Sequence, residues 1–208
     1  MKIPKPEVKS GPGRPIGVFL RMPVFVVGML SSAIGYGLMS YMMTATPLQI
    51  VNVVKLGTSA NATIIQWHVV AMFAPSFITG SLITRFGASR ILWAGLLAYI
   101  ATVVTALNAN TFWPYWWALT LVGIGWNFLY IGGSSLIATV ALPEERGRVQ
   151  GFADLVLTST VAASSLTAGV LHSQMGWQAM TIAATLPILA IVVCLVWLSV
   201  HLHRLVSR

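Results

Sequence analysis

Four long stretches of this sequence contain no charged side chain. Asp, Glu, Lys and Arg are all absent from residues 22–54, 56–84, 91–143 and 155–203. An apolar helix needs roughly 20 residues to cross the hydrocarbon core of a bilayer, so each stretch can supply one or two crossings. Charged residues make up only 8% of the chain, which is too few to cover the surface of a water-soluble protein. The sequence therefore predicts a protein that lies in a membrane.

The apolar stretches divide into six predicted membrane spans. Each span must be a helix, because an open strand in hydrocarbon leaves its backbone polar groups unpaired. The sequence thus predicts an all-α integral membrane protein, a bundle of six transmembrane helices over residues 21–203. A cytoplasmic tether (1–20), with a short surface helix near 16–21, precedes the bundle, and a cytoplasmic tail (204–208) follows it. The spans are expected near residues 23–46, 60–84, 89–107, 113–140, 149–171 and 177–202.

The positions of the basic residues predict the orientation. With the N-terminus inside, 11 of the 12 Lys and Arg residues are cytoplasmic, and only Lys55 is outside. Basic residues accumulate on the cytoplasmic side of membrane proteins, so both ends are expected there. The net charge of +8 is then a feature of topology rather than of nucleic-acid binding. The single cysteine, Cys194, gives neither a disulfide framework nor a metal site, and no cofactor is expected.

A motif follows the second predicted span. The sequence from Gly80 to Arg90 reads GSLITRFGASR. It resembles the cytoplasmic loop signature of the major facilitator superfamily, G-x-x-x-D-R-x-G-x-R/K, and Arg85 and Gly87 match along with both ends. Thr84 stands where the family usually has Asp, a departure that is common in the second copy of the motif, in the carrier's C-terminal half.

Two other stretches extend the resemblance to nearly the whole chain, about 20–208. The sequence PEERGR at 143–148, leading into 149–154, resembles the loop before the family's eleventh helix, and 123–133 resembles the tenth helix. Members have two six-helix bundles with the substrate held between them near the midplane. The resemblance implies that this chain is the C-terminal bundle. It would be either part of a longer carrier or the partner of a second bundle, an N-terminal half or a parallel copy of itself.

The resemblance also implies a function. A small solute would cross by alternating access, coupled to protons, in a bacterial inner membrane. A non-transporting scaffold or assembly protein, or an inactive truncated carrier fragment, is the alternative. An enzyme is not expected: intramembrane serine proteases carry G-x-S-G, whereas residues 132–135 read GGSS. The gating-loop candidates, which lie at cytoplasmic ends of helices, are Gly80, Arg85, Gly87, Arg90 and Arg146.

Ionisable side chains inside the spans are candidates for coupling, because a charge in the membrane costs several kcal/mol. Asp154 could load and release a proton, or it could pair with Arg148, Arg146 or Arg85 at the interface. His68 could relay a proton or hold a substrate, since imidazole titrates near physiological pH. It could also simply bond to a neighbouring helix.

Polar and aromatic groups near the membrane midplane are candidates for substrate binding. Asn127 offers two donors and an acceptor, which suits either a polar substrate group or a bond between helices. Trp126 could stack on a ring-bearing substrate or pack in the bundle. Tyr36, His68, Asn127 and the hydroxyls of the fifth span are expected on one face, lining the substrate cavity. Those hydroxyls belong to Thr158, Ser159, Thr160, Ser164, Ser165 and Thr167.

Many glycines lie inside the predicted spans or at their ends. Small residues let membrane helices approach closely, so these positions are predicted to be helix contacts. They are Gly35, Gly37, Gly80, Gly87, Gly123, Gly125, Gly132, Gly133 and Gly169.

Overall fold

The computed structural model describes residues 13–206, with side chains as far as His201. This part of the chain is helical throughout apart from short connections, and it contains no strand. A π-helix (Gln49–Val53) continues the second helix. The α-helices are α1 (Ile16–Phe19), α2 (Pro23–Leu48), α3 (Thr58–Phe73), α4 (Ser76–Phe86), α5 (Ala88–Leu107), α6 (Phe112–Val140), α7 (Arg146–Ala183) and α8 (Thr185–Val206). The predicted all-α membrane bundle is confirmed.

Two interruptions explain how these helices make six spans. Pro75 separates α3 from α4, because its nitrogen cannot donate to the helix, yet the two helices together form one apolar crossing, Thr58–Phe86. Gly176 has a φ of 77°, a left-handed backbone that favours glycine, and it breaks α7 inside the long apolar segment Arg146–His201. The fifth span therefore ends before Gly176, and the sixth begins at Trp177 and continues through α8.

The helices α2 and α6 form the centre of the bundle. Helix α2 packs against α6, α7 and α8, while α6 also packs against α3 and α5. The core between them holds Leu92, Leu96, Leu119 and Leu129, all fully buried. Large apolar side chains on α3, α4 and α7 point away from the core, among them Phe77, which is 91% exposed. These outer helices present the faces that the described chain does not itself cover.

The glycine predictions are right at the centre of the bundle. A Cβ atom on Gly123 would lie 2.7 Å from the carbonyl oxygen of His68, and one on Gly35 would lie 2.8 Å from Cβ of Leu129. Gly37, Gly125, Gly132 and Gly133 have similarly close neighbours. The prediction is wrong for Gly80, Gly87 and Gly169, where no atom of the described chain lies within 4 Å of such a Cβ.

The segment before α2 lies against the bundle over residues 13–20. The predicted short surface helix near 16–21 is present as α1, which exposes Gly17 and Val18 and is held to the bundle by Phe19, which is fully buried. Phe19 packs on Phe25 with ring centroids 5.7 Å apart, in a cluster that also includes Ile137 of α6 and Val149 of α7. The remainder of the predicted tether and the last two residues of the predicted tail lie outside the described residues.

Candidate functional site

Four aromatic rings meet in the middle of the bundle, and we call them the ring cluster. They belong to Tyr36 on α2, Phe73 on α3, and Trp126 and Tyr130 on α6. Trp126 and Tyr130 are stacked, with 5.3 Å between ring centroids and planes 7° apart. Tyr36 meets Trp126 edge-on at 5.4 Å and Tyr130 edge-on at 5.9 Å, and Phe73 meets Trp126 at 5.8 Å. Helix spacing explains the pair on α6, because residues four apart share a face.

The ring cluster lies near the middle of the apolar crossings. Tyr36, Phe73 and Trp126 are each within two residues of the midpoint of their apolar crossings, which run Pro23–Val53, Thr58–Phe86 and Phe112–Val140. Trp126 is 6% exposed, Phe73 is 57% exposed and Tyr36 is half-buried. The cluster therefore has a buried base and an open edge. Aromatic faces of this kind bind flat apolar or heteroaromatic rings by stacking.

His68 does not share the open face of the ring cluster. Its side chain is 1% exposed, and its Nδ1 lies 2.8 Å from the carbonyl oxygen of Leu119 on α6. A carbonyl oxygen accepts, so Nδ1 carries the proton and donates it. The Nε2 atom has no hydrogen-bond partner among the described residues. The expectation that His68 lines the cavity face is wrong for this conformation, and His68 instead joins α3 to α6.

Asn127 is likewise buried between helices. Its Nδ2 donates to the carbonyl oxygen of Met72 at 2.7 Å and to Oγ of Ser76 at 2.6 Å, while its Oδ1 accepts from Thr79 at 2.7 Å. The residue is 0% exposed, so its predicted place on the cavity face is also wrong here. All three hydrogen bonds of the amide go to residues on the two sides of Pro75, where the helix is interrupted. These bonds are the helix-joining alternative, and they hold the two pieces of the second span against α6.

Asp154 lies near the N-terminal end of α7. Its side chain is exposed, and Oδ1 accepts from Nε2 of Gln150, one helical turn earlier, at 2.9 Å. It forms no ion pair with Arg85, Arg146 or Arg148 among the described side chains. The alternative of an interface ion pair for Asp154 is therefore not seen among the described side chains.

Four of the six hydroxyl residues of the fifth span line a separate cavity, namely Ser159, Thr160, Ser164 and Thr167. It has a volume of about 760 Å³ and lies between α2, α7 and α8, with none of the ring-cluster residues in its wall. Thr160 and Thr167 face it but donate to carbonyl oxygens of their own helix, at 2.8 Å and 2.7 Å. Ser165 instead contacts Ser40 of α2 at 2.6 Å. The predicted polar row exists and meets the α2 face that carries Tyr36 at Ser165, because Ser40 lies one helical turn after Tyr36.

Comparison with known proteins decides the family. Residues 25–207, nearly the whole chain, match the Major Facilitator Superfamily. The chain belongs to this superfamily. The resemblance of the loop at 80–90 to the superfamily signature is therefore confirmed at the level of the family.

Curated relatives within the superfamily are transporters. The chain is 41% identical over 181 residues to the riboflavin transporter RfnT of Brucella anthropi, covering 83% of this chain and 45% of that protein. It is 28% identical over 180 residues to the uncharacterized MFS-type transporter YddS of Bacillus subtilis, covering 83% of this chain and 40% of that one. The chain thus spans less than half the length of these relatives. It is an integral membrane protein of a transport family, consistent with one half of such a carrier.

The superfamily signature loop lies at one end of the bundle. Arg85 is exposed in the last turn of α4, with its guanidinium carbon 5.2 Å from the ring centroid of Phe86. Gly87 has a φ of 85° and joins α4 to α5, and Arg90 is exposed in the first turn of α5. Arg146, at the start of α7, is exposed as well. None of the three arginines forms an ion pair with a described side chain.

A charged contact at the end of the bundle where α7 begins was not expected from the sequence. Arg14 binds Glu145 in a bidentate pair, with Nε 2.9 Å from Oε1 and Nη2 2.6 Å from Oε2. The backbone N–H of Arg14 donates to Oε1 at 2.9 Å, and the N–H of Leu142 donates to Oε2 at 3.1 Å. Arg148 donates to the carbonyl oxygen of Arg14. We call this set the entry clasp, because it fixes the chain entering α2 to the connection between α6 and α7.

The entry clasp changes the titration of its carboxyl group. The side-chain bonds from Arg14 lower the pKa of Glu145 from 4.5 to about 2, and the two backbone N–H donors act in the same direction. The Glu145 carboxylate raises the pKa of Arg14 in turn. A carboxyl group with a lowered pKa stabilises the folded state fully above its ordinary value. That contribution disappears as the pH falls from about 4.5 towards 2.

Replacing Glu145 by Gln should loosen the entry clasp. The variant loses the ion pair and one of the two acceptor oxygens. We therefore expect its thermal unfolding temperature in detergent to fall by a few degrees. Below pH 4.5 the difference in unfolding temperature between the variant and the parent should decrease, since acid protonates the parent carboxylate. Glu144→Gln is the matched control, because that neighbouring side chain is exposed and forms no ion pair with a described residue. Equal melting of all three proteins at pH 7 would show that the clasp does not stabilise the bundle.

Sequence reasoning missed several residues of these two sites. Tyr130 could have been found, because it lies four residues after Trp126 and so shares its helix face. Phe73 gave no signal, since apolar residues surround it on both sides along α3. Arg14 and Glu145 are 131 positions apart, and no local pattern connects them.

Proposed function

We propose that this chain is one six-helix half, the C-terminal one, of a secondary carrier that moves a flat ring-bearing solute of the riboflavin class. The observation that carries the proposal is the ring cluster, in which Tyr36, Phe73 and Trp126 lie near the midpoints of their apolar crossings. A substrate site at the midplane between two bundles suits alternating access. The relative named as a riboflavin transporter adds weight, because the isoalloxazine of riboflavin is planar and aromatic.

The carrier needs a second bundle in this proposal. The exposed faces of α3, α4 and α7 would meet an N-terminal half or, as the second choice, a parallel copy of the chain. Both termini would be cytoplasmic and the membrane would be the bacterial inner membrane, as the 11-to-1 distribution of basic residues favours. Gly80, Arg85, Gly87, Arg90 and Arg146 would then form the cytoplasmic gating region, and Tyr36 would contact substrate.

Proton coupling belongs to the same proposal. His68 supports it, because its Nδ1 donates to the Leu119 carbonyl oxygen while its Nε2 has no hydrogen-bond partner among the described residues. The lone pair of Nε2 can therefore accept a proton. Asp154 is the second coupling candidate, since its side chain is exposed and forms no ion pair with a described side chain. Asn127 would position the broken second span during the cycle rather than contact the solute.

A chimeric carrier tests the proposed substrate. This chain would replace the aligned segment of the riboflavin transporter RfnT of Brucella anthropi, which supplies the missing bundle. In cells that cannot make riboflavin, we expect the chimera to restore growth on low external riboflavin and to take up labelled riboflavin. The intact transporter is the positive control, and membrane amounts are compared by immunoblot. A chimera that reaches the membrane normally but takes up no riboflavin would contradict the proposal.

A further inference from the structure

Trp126 carries an N–H group whose hydrogen-bonding capacity the described chain leaves unused. The side chain is 6% exposed, and its Nε1 atom is buried with no hydrogen-bond partner among the described residues. A buried donor left without a partner costs about 1–3 kcal/mol. Another buried tryptophan of the bundle, Trp177, does have a partner for its N–H group. Trp177 is also 6% exposed, and its Nε1 donates to the carbonyl oxygen of Ala106 at 2.7 Å.

The surroundings of Trp126 explain why no protein acceptor reaches it. One ring face is covered by Tyr130, and Tyr36 and Phe73 meet the ring edge-on. Phenylalanine would fill such a stack as well and would bring no unpaired donor. A tryptophan at this position is therefore costly for folding alone. It is favourable if a bound molecule supplies the acceptor.

We infer that the indole N–H of Trp126 donates a hydrogen bond to an acceptor on the ring edge of the transported solute, so that Trp126 determines specificity. The inference rests on the proposed carrier function and adds the chemistry of recognition. Tyr36 and Tyr130 supply ring contacts, which any flat molecule can use. The N–H selects a heteroaromatic ring with a carbonyl oxygen or ring nitrogen at its edge over a hydrocarbon ring of the same size.

The selectivity follows from the surroundings of the donor. In a water-excluded site, a ring without an acceptor leaves the indole N–H unpaired, whereas a ring with one satisfies it. One such bond is expected to change affinity by about tenfold. Opening of the ring cluster at the Tyr36 and Phe73 edge gives the solute access, since these two rings are the exposed ones.

Riboflavin uptake by the chimeric carrier tests this role. Trp126→Phe keeps a ring and deletes the N–H, so we expect the KM for riboflavin to rise about tenfold with the maximal rate nearly unchanged. Trp197→Phe is the matched control, because Trp197 lies on α8, outside the ring cluster and the faces proposed to meet the second bundle, and is 45% exposed. Its KM should equal that of the parent. Trp126→Ala, which also removes the stacking surface, should lose more affinity than Trp126→Phe.

A second replacement guards against misfolding of the Phe variant. Benzothienylalanine at position 126 has the size and shape of tryptophan but carries sulfur in place of N–H, and it should raise the KM as Phe does. A parent-like KM for both Trp126→Phe and the benzothienyl variant, with a raised KM for Trp126→Ala, would overturn the hydrogen bond but leave the carrier function standing. No riboflavin uptake by the parent chimera would overturn the proposed function, and this inference with it.

Discussion

A valine at Gly28 should separate α2 from α6 and leave little folded protein in the membrane. A Cβ atom at Gly28 would lie 2.7 Å from the carbonyl oxygen of Gly133, 3.0 Å from Cβ of Leu136 and 3.2 Å from Ile137. Backbone oxygen cannot rotate away as a flexible side chain can. The two helices must therefore move apart, and overpacking of this kind costs about 1–3 kcal/mol or more.

The position of this contact makes the expected effect large. Helices α2 and α6 are the centre of the bundle, and every other spanning helix packs on one or both of them. Gly133 faces Gly28 and Ser32 across the same contact, so a displacement at one glycine reaches the other. The change should therefore spread to the core leucines rather than stay local.

Size-exclusion chromatography and thermal unfolding in detergent measure the outcome. We expect Gly28→Val to lose most of the monodisperse peak and to unfold well below the parent. The matched control is Gly169→Val, at a helical glycine of α7 with no described atom within 4 Å of its Cβ position. It should behave like the parent. A Gly28→Val protein as stable as the Gly169→Val protein would show that α2 and α6 are not held as closely as described.

Liposomes that contain this chain alone should show no riboflavin uptake, whereas addition of a second bundle should restore it. The physical reason is the uncovered surface of the outer helices. Phe77 is 91% exposed, Phe73 is 57% exposed and Leu166 is 75% exposed, and the ring cluster opens on the Phe73 side. A substrate site with only one wall cannot close alternately to the two sides of a membrane.

Co-expression separates this requirement from simple inactivity. The chain would be produced alone, with the remaining part of RfnT as a separate polypeptide, and with that part carrying a stop codon after its first span. Only the chain produced together with the intact remaining part of RfnT should transport riboflavin. Cross-linking between cysteines placed at Phe77 in two copies would detect a parallel homodimer. Uptake by purified monomeric chain in liposomes would refute the need for a second bundle.

The sequence by itself determined the number of spans and the family. Charged side chains are excluded from hydrocarbon, so the four charge-free stretches marked the crossings directly. Pro75 and Gly176 then divide the chain near the expected places, because proline and glycine act on the backbone whatever surrounds them. The motif from Gly80 to Arg90 was recognisable for a similar reason, since its glycine turn at Gly87 and its two arginines interrupt the apolar sequence between α4 and α5.

Only the tertiary structure decided which side of each helix faces the site. In a soluble helix the apolar stripe marks the buried face, but in a membrane both the core side and the lipid side are apolar. The pattern of apolar residues therefore does not show how each helix is rotated about its axis. His68 and Asn127 were placed on the cavity face by their depth alone, and both turned out to bond to neighbouring helices. Phe73 and Tyr130 joined the ring cluster because packing of α2, α3 and α6 fixed those rotations.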